Sequence, residues 1–176
     1  NEGKLLITES AEEVVVTVTG HKGTEFYNGA EHSVTGYDVD ISNPLYTASD
    51  FRFSGTAEAT GTNADTYEMG LAAGQFQNTN ENFASVEFTV EDGSLTVSPR
   101  RVLLTSESGS KPYDGTALTK PEVTVTGDGF VEGEVTDIRA TGSVTYVSEG
   151  EVTNTIEYTE GEKFQASNYS IEKNEG

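Results

Sequence analysis

The chain has 176 residues, 30 acidic against 10 basic side chains, a formal charge of −20, no cysteine and only 34% apolar residues. That balance excludes a phosphate-backbone grip and a basic lipid-binding patch, which need clustered Lys and Arg, and leaves no disulfide framework or thiolate chemistry. At about 100–200 residues per domain the length suits one domain or two small ones, and no apolar run approaches the roughly 18 residues of a membrane span.

In chain order, the predicted elements are strands. A short apolar run, Lys4-Leu5-Leu6-Ile7-Thr8, precedes Val14, Val16 and Val18, which alternate with Val15, Thr17 and Thr19. After the Tyr27-Asn28-Gly29 turn, Tyr37, Val39 and Ile41 alternate with Asp38 and Asp40; further on, Val86, Phe88 and Val90 alternate with Glu87 and Thr89. Leu95 and Val97, the run Val102-Leu103-Leu104, Val123 with Val125, Val144 with Tyr146, and Ile156 with Tyr158 continue the pattern. Period-2 alternation with one polar face, punctuated by Gly, Asn, Asp and Ser every 8–12 residues or so, predicts an all-β protein of small antiparallel sheets. An Ig-like sandwich is the first expectation and a grasp-like roll the alternative.

Two halves repeat each other. Phe26-Tyr27-Asn28-Gly29 is answered by Pro112-Tyr113-Asp114-Gly115, Ser49-Asp50-Phe51-Arg52 by Thr136-Asp137-Ile138-Arg139, Thr66-Tyr67-Glu68-Met69 by Thr155-Ile156-Glu157-Tyr158, and Asn82-Phe83 by Asn168-Tyr169. Ordered matches of this kind indicate tandem duplication. The expected modules are residues 1–98 and 99–176, divided at Pro99, a residue that suits a strand end or linker. Gly93-Ser94-Leu95-Thr96-Val97 matches Gly3-Lys4-Leu5-Leu6-Ile7, and this strand either opens each module or closes it. The expectation is that it opens them, with residues 4–8 ordered in the first module's sheet. Asn1-Glu2-Gly3 and Asn174-Glu175-Gly176 stand in one repeat phase, as expected for two whole periods of a longer array.

Lys111-Pro112-Tyr113-Asp114-Gly115-Thr116, Val131-Glu132-Gly133-Glu134, Asn168-Tyr169-Ser170-Ile171 and the closing Gly93-Ser94-Leu95-Thr96-Val97-Ser98-Pro99-Arg100 resemble the MBG-type repeat of bacterial, mainly Gram-positive, surface proteins. The resemblance covers the second copy; the first departs from it, with Phe26 before Tyr27 and Asn28 for the Asp. It implies an extracellular, cell-wall-displayed stalk or adhesin module and brings no catalytic residues.

Asx-Gly is a turn dipeptide, so Asn28 and Asp114 are expected to cap backbone N–H groups, Gly29 and Gly115 to take positive φ, and Tyr27 and Tyr113 to turn their rings inward. The alternative makes exposed Tyr rings sugar-stacking platforms. Asp38 with Asp40, Asp128 with Glu132 and Glu134, and Glu149 with Glu151 offer oxygens for calcium, although solvated acidic strands are the plainer reading. His21 and His32 are the only neutral-pH bases, and neither position is shared by the copies. No catalytic residue and no bound cofactor are therefore expected. The leading function is a non-enzymatic spacer partnered by neighbouring modules of the array. The alternatives are an adhesin binding a host glycan or surface protein, for which Phe26, Tyr46, Phe51, Phe53 and Phe76 of the first copy are candidate contacts, and a calcium-rigidified repeat. A monomer with no nucleic-acid or membrane partner is expected.

Overall fold

The structure, a computed structural model, describes residues 3–176; Asn1 and Glu2 of the repeated tripeptide lie outside the described residues. The chain divides into two units: Asn1–Glu25, Glu31–Gly61 and Asp65–Val97 form the first, and Phe26–Ala30, Thr62–Ala64 and Ser98–Gly176 the second. The protein is all-β, with no α-helix among the described residues and four 3₁₀ turns (Ala48–Asp50, Ala73–Gln75, Val147–Glu149, Ala166–Asn168). Among the described residues no helix is long and apolar enough to cross a membrane.

The first unit holds β1 (Val14–Gly20), β2 (Lys22–Phe26), β3 (His32–Thr35), β4 (Tyr37–Ile41), β5 (Phe51–Phe53), β6 (Glu58–Gly61), β7 (Asp65–Glu68), β8 (Phe76–Asn78), β9 (Val86–Glu91) and β10 (Ser94–Ser98). These form sheets β4-β1-β9, β2-β10-β7, β3-β6 and β5-β8. The second unit holds β11 (Arg100–Ser106), β12 (Leu118–Thr119), β13 (Val123–Gly127), β14 (Val135–Ala140), β15 (Ser143–Val144), β16 (Ile156–Glu160) and β17 (Tyr169–Asn174), in sheets β13-β11-β17, β12-β15 and β14-β16.

The pairing corrects the purely antiparallel expectation. β1 runs antiparallel to β4 but parallel to β9, with Val16 opposite Ile41 on one side and Phe88 on the other. β11 does the same between β13 and β17, with Leu104 opposite Val125 and Val102 opposite Ile171. A parallel pair needs a long crossover, and here the whole remainder of each unit supplies it. This register also corrects the repeat alignment near the end: Phe88 and Ile171 hold the same position, so Tyr169 matches Val86 rather than Phe83.

β10 settles which way the shared strand goes. It pairs with β7, Leu95 opposite Tyr67, inside the first unit, whereas residues 4–8 lie in no strand. The Gly-x-Leu-x-Val strand closes a unit, contrary to the expectation that it opens one. Pairing by β2 and β7 on both sides buries Leu95 and Val97 completely enough to fix that choice.

Alternation is realised where the sequence shows it most clearly. Val14, Val16 and Val18 are buried and form a core with Tyr46, Phe76 and Phe83, bordered by Phe51, Phe53 and Phe88. Phe53 stacks on Phe76 at 4.8 Å and Phe51 meets Phe88 edge-on at 5.5 Å; such pairs add about 0.5–1.5 kcal/mol each beyond their buried area. In the second unit Val102, Leu104 and Ile156 are buried, Phe130 and Phe164 pack on Tyr169, and Tyr158 packs on both of those phenylalanines.

Candidate functional site

The two Tyr-Asx-Gly turns have the same backbone. Gly29 and Gly115 sit at φ 82° and 83°. Asn28 Oδ1 accepts the Ala30 N–H at 2.8 Å, and Asp114 Oδ1 accepts that of Thr116 at 2.9 Å. Asp114 also receives Lys111 Nζ at 3.0 Å and the Thr116 hydroxyl at 2.8 Å. The Thr116 backbone, then Lys111 and the Thr116 hydroxyl, hold the Asp114 carboxyl down at about 2.

Their tyrosines differ. Tyr27 is buried in the second unit, and its hydroxyl donates to Glu134 Oε1 at 2.5 Å. Tyr169 donates to Glu134 Oε2 at 2.6 Å and accepts the Val131 N–H at 3.0 Å. Glu134 is only 4% exposed, so its carboxyl group is held inside the unit with each oxygen accepting a phenol hydroxyl. The two rings meet edge-on at 5.5 Å. Burial first, and then the hydrogen bond to Glu134, pushes the Tyr27 hydroxyl up to about 12; the same causes raise Tyr169 further still. Arg100 spans the Gly129, Asp128 and Tyr27 carbonyls, and Asn168, fully buried, accepts the Ala64 N–H at 2.7 Å and donates to Asn63 at 3.0 Å. Both Glu134 oxygens thus accept hydrogen bonds from side chains of the same unit.

Tyr113 corrects the ring-inward expectation. It is 62% exposed, and Tyr146, which drew no notice as a site residue, is 58% exposed. Their ring centroids are 6.4 Å apart, tilted by 31°. Both line an open groove of about 770 Å³ in the second unit, walled by residues 107–113 and 150–154 with Leu118 and Val144 between. Glu149 fixes the turn carrying Tyr146 by accepting the Thr145 and Tyr146 N–H groups at 2.8 and 2.5 Å. Of the first copy's candidate aromatics, Tyr46 and Phe76 are buried and Phe51 and Phe53 pack against the same core, so only Phe26 is exposed. The exposed aromatic pair lies in the other copy, where it would have been legible only from the lack of a strand to cover it.

Each acidic cluster has at least one member with a structural partner. Glu134 is held by tyrosines, Asp128 accepts the Arg101 N–H at 3.2 Å, and Asp38 lies 3.4 Å from His21 Nε2. Among the described residues no group of three or more His, Asp or Glu is arranged to hold a metal ion. His21 Nδ1 donates to the Thr35 carbonyl at 2.8 Å, and this bond, then Asp38, raises its pKa. Both ring nitrogens face acceptors, a geometry that favours the imidazolium and leaves no lone pair aimed at a nucleophile. Comparison with protein-family models, curated proteins and solved structures gives no match for this chain.

Proposed function

We propose that this chain is a non-enzymatic spacer from an extracellular, cell-wall-displayed bacterial protein, built of MBG-like modules that join others in an array. The observation that carries this reading is one strand plan used twice: a central strand between an antiparallel and a parallel neighbour, β4-β1-β9 and then β13-β11-β17. Parallel alignment of an early and a late strand ties the two ends of each unit by hydrogen bonds loaded along their length, a useful property for a segment under tension. The charge of −20 favours solubility and suppresses self-association. Pulling single molecules from end to end should give two separate unfolding steps that recover on release. A single step at negligible force would overturn the reading.

A second reading, an adhesin, is favoured by Tyr113 and Tyr146, whose exposed faces suit the C–H face of a sugar. A glycan and mucin array comparing the chain with Tyr113→Ala and Tyr146→Ala tests it. Retention that both variants lose supports an adhesin, and no retention removes it.

A further inference from the structure

The two Tyr-Asx-Gly turns differ in the group that Asx presents: an amide at Asn28 and a carboxylate at Asp114. An asparagine amide carbon is an electrophile, and the nitrogen of the next peptide bond is a nucleophile that can close a five-membered ring on it. Ten asparagines occur in the chain, and Asn28 is the one followed by glycine. The other nine precede residues with side chains, among them Tyr169 and Pro44, the latter without an N–H. Glycine leaves the attacking nitrogen unscreened, because no Cβ stands beside it.

The turn meets the remaining requirements. Asn28, Gly29 and Ala30 are exposed, so water reaches the amide. The Ala30 N–H donates to Asn28 Oδ1 at 2.8 Å. That bond polarises the side-chain carbonyl and is already in place for the negative oxygen of a tetrahedral intermediate, as a backbone oxyanion donor is. Gly29 is held at φ 82°, and a Cβ on it would come within 3.0 Å of Val131 Cγ1, so the fold itself requires glycine here.

Several other asparagines are shielded. Asn43, Asn154 and Asn168 are buried, and the Ala64 N–H that follows Asn63 donates to Asn168 Oδ1 at 2.7 Å. In the second copy Asp114 is held ionised by Thr116 and Lys111. A carboxylate is a poor electrophile, so that turn is inert although its backbone is the same.

We propose that Asn28 is a self-modification site, where the folded chain converts its own side-chain amide to a carboxylate through a cyclic imide with water as the only co-reactant. The Gly29 nitrogen gives up its proton and bonds to Asn28 Cγ; the Cγ–Nδ2 bond breaks, and the amide nitrogen takes up a proton and leaves as ammonia. Water then opens the imide, its hydroxyl going to a carbonyl carbon and its hydrogen to the Gly29 nitrogen. Nothing is oxidised or reduced. Opening at Cγ gives an aspartate, which Asp114 shows this turn to accept. Opening at the main-chain carbonyl leaves the chain running through Cβ and Cγ, one methylene longer, directly after Tyr27. Tyr27 is buried with its hydroxyl 2.5 Å from Glu134, so the isoaspartyl product should loosen a contact inside the second unit. Either product adds one negative charge to a chain at −20. The proposal does not depend on where the protein is displayed.

Incubating the folded full chain in mildly alkaline buffer, and mapping its peptides by mass spectrometry, tests this. Conversion at Asn28 should run about tenfold or more ahead of every other asparagine. Mildly acidic buffer should slow it, because the Gly29 nitrogen must lose its proton. Asn28→Gln, whose longer side chain would have to close a six-membered ring, should stop it. The isoaspartyl fraction should melt at a lower temperature than Asn28→Asp, which keeps both the turn and the main-chain length. An Asn28 that stays intact in the folded chain but converts once the chain is unfolded in urea overturns the proposal, because the turn would then protect the amide. Conversion led by another asparagine overturns it as well.

Discussion

The same Tyr-Asx-Gly triplet does two different jobs in this molecule, and the difference lies entirely in what surrounds each ring. Tyr27→Ala removes a buried ring and leaves Glu134 with an unpaired oxygen, so it should destabilise the second unit by about 3–5 kcal/mol. Tyr113→Ala, at an exposed ring, should change stability by no more than about 0.5 kcal/mol. Urea denaturation of the two variants checks the contrast, and equal losses would refute it. Titration adds a second check. The Tyr27 hydroxyl is raised from its ordinary value near 10 to about 12, and the protonated phenol is the form the fold favours. Its contribution is fully present below about pH 10 and is lost as pH rises through 10 to 12. Absorbance of tyrosinate should therefore appear late for this residue, together with loss of structure in the second unit. Tyr27→Phe should remove one tyrosinate from that late step, leaving that of Tyr169, while costing stability at neutral pH.

At the scale of elements, the central strands carry the units. Leu104 is fully buried in β11 between β13 and β17, so Leu104→Ala should cost about 2–5 kcal/mol. Val125, half-exposed on β13, should tolerate Thr within about 0.5 kcal/mol. Thermal melts distinguish the two, and a mild Leu104→Ala would mean that β11 is not the core of its sheet. The alternation of Val14, Val16 and Val18 was readable as a buried face because a strand has only two faces and the residues sort cleanly between them. The partner of that strand was not readable. Parallel pairing with β9 joins segments far apart in the chain, and no local pattern encodes it. β2 and residues 107–113 make the same point: they hold equivalent places in the repeat, yet only the first is a strand.

For the whole molecule, charge sets the solution behaviour. All seven ion pairs found among the described residues are partly or largely exposed, and exposed pairs contribute little. Self-repulsion at −20 outweighs them. Raising ionic strength from about 10 mM to about 150 mM shortens the screening length from about 30 to about 8 Å and should raise the melting temperature. A fall would show that pairs such as Lys22 with Glu91, 2.7 Å apart, dominate instead.

By itself the sequence determined the strand content, the duplication and the two Asx-Gly turns. These follow from local steric preference, side-chain period and recurrence, all of which act within a few residues. Tertiary structure decided the rest. It chose the parallel neighbours of β1 and β11, gave β10 to the unit before it rather than the one after, and turned Tyr27 inward onto Glu134 while leaving Tyr113 beside an open groove. Each of those outcomes depends on which distant strand lies alongside, because backbone pairing and burial are properties of neighbours in space.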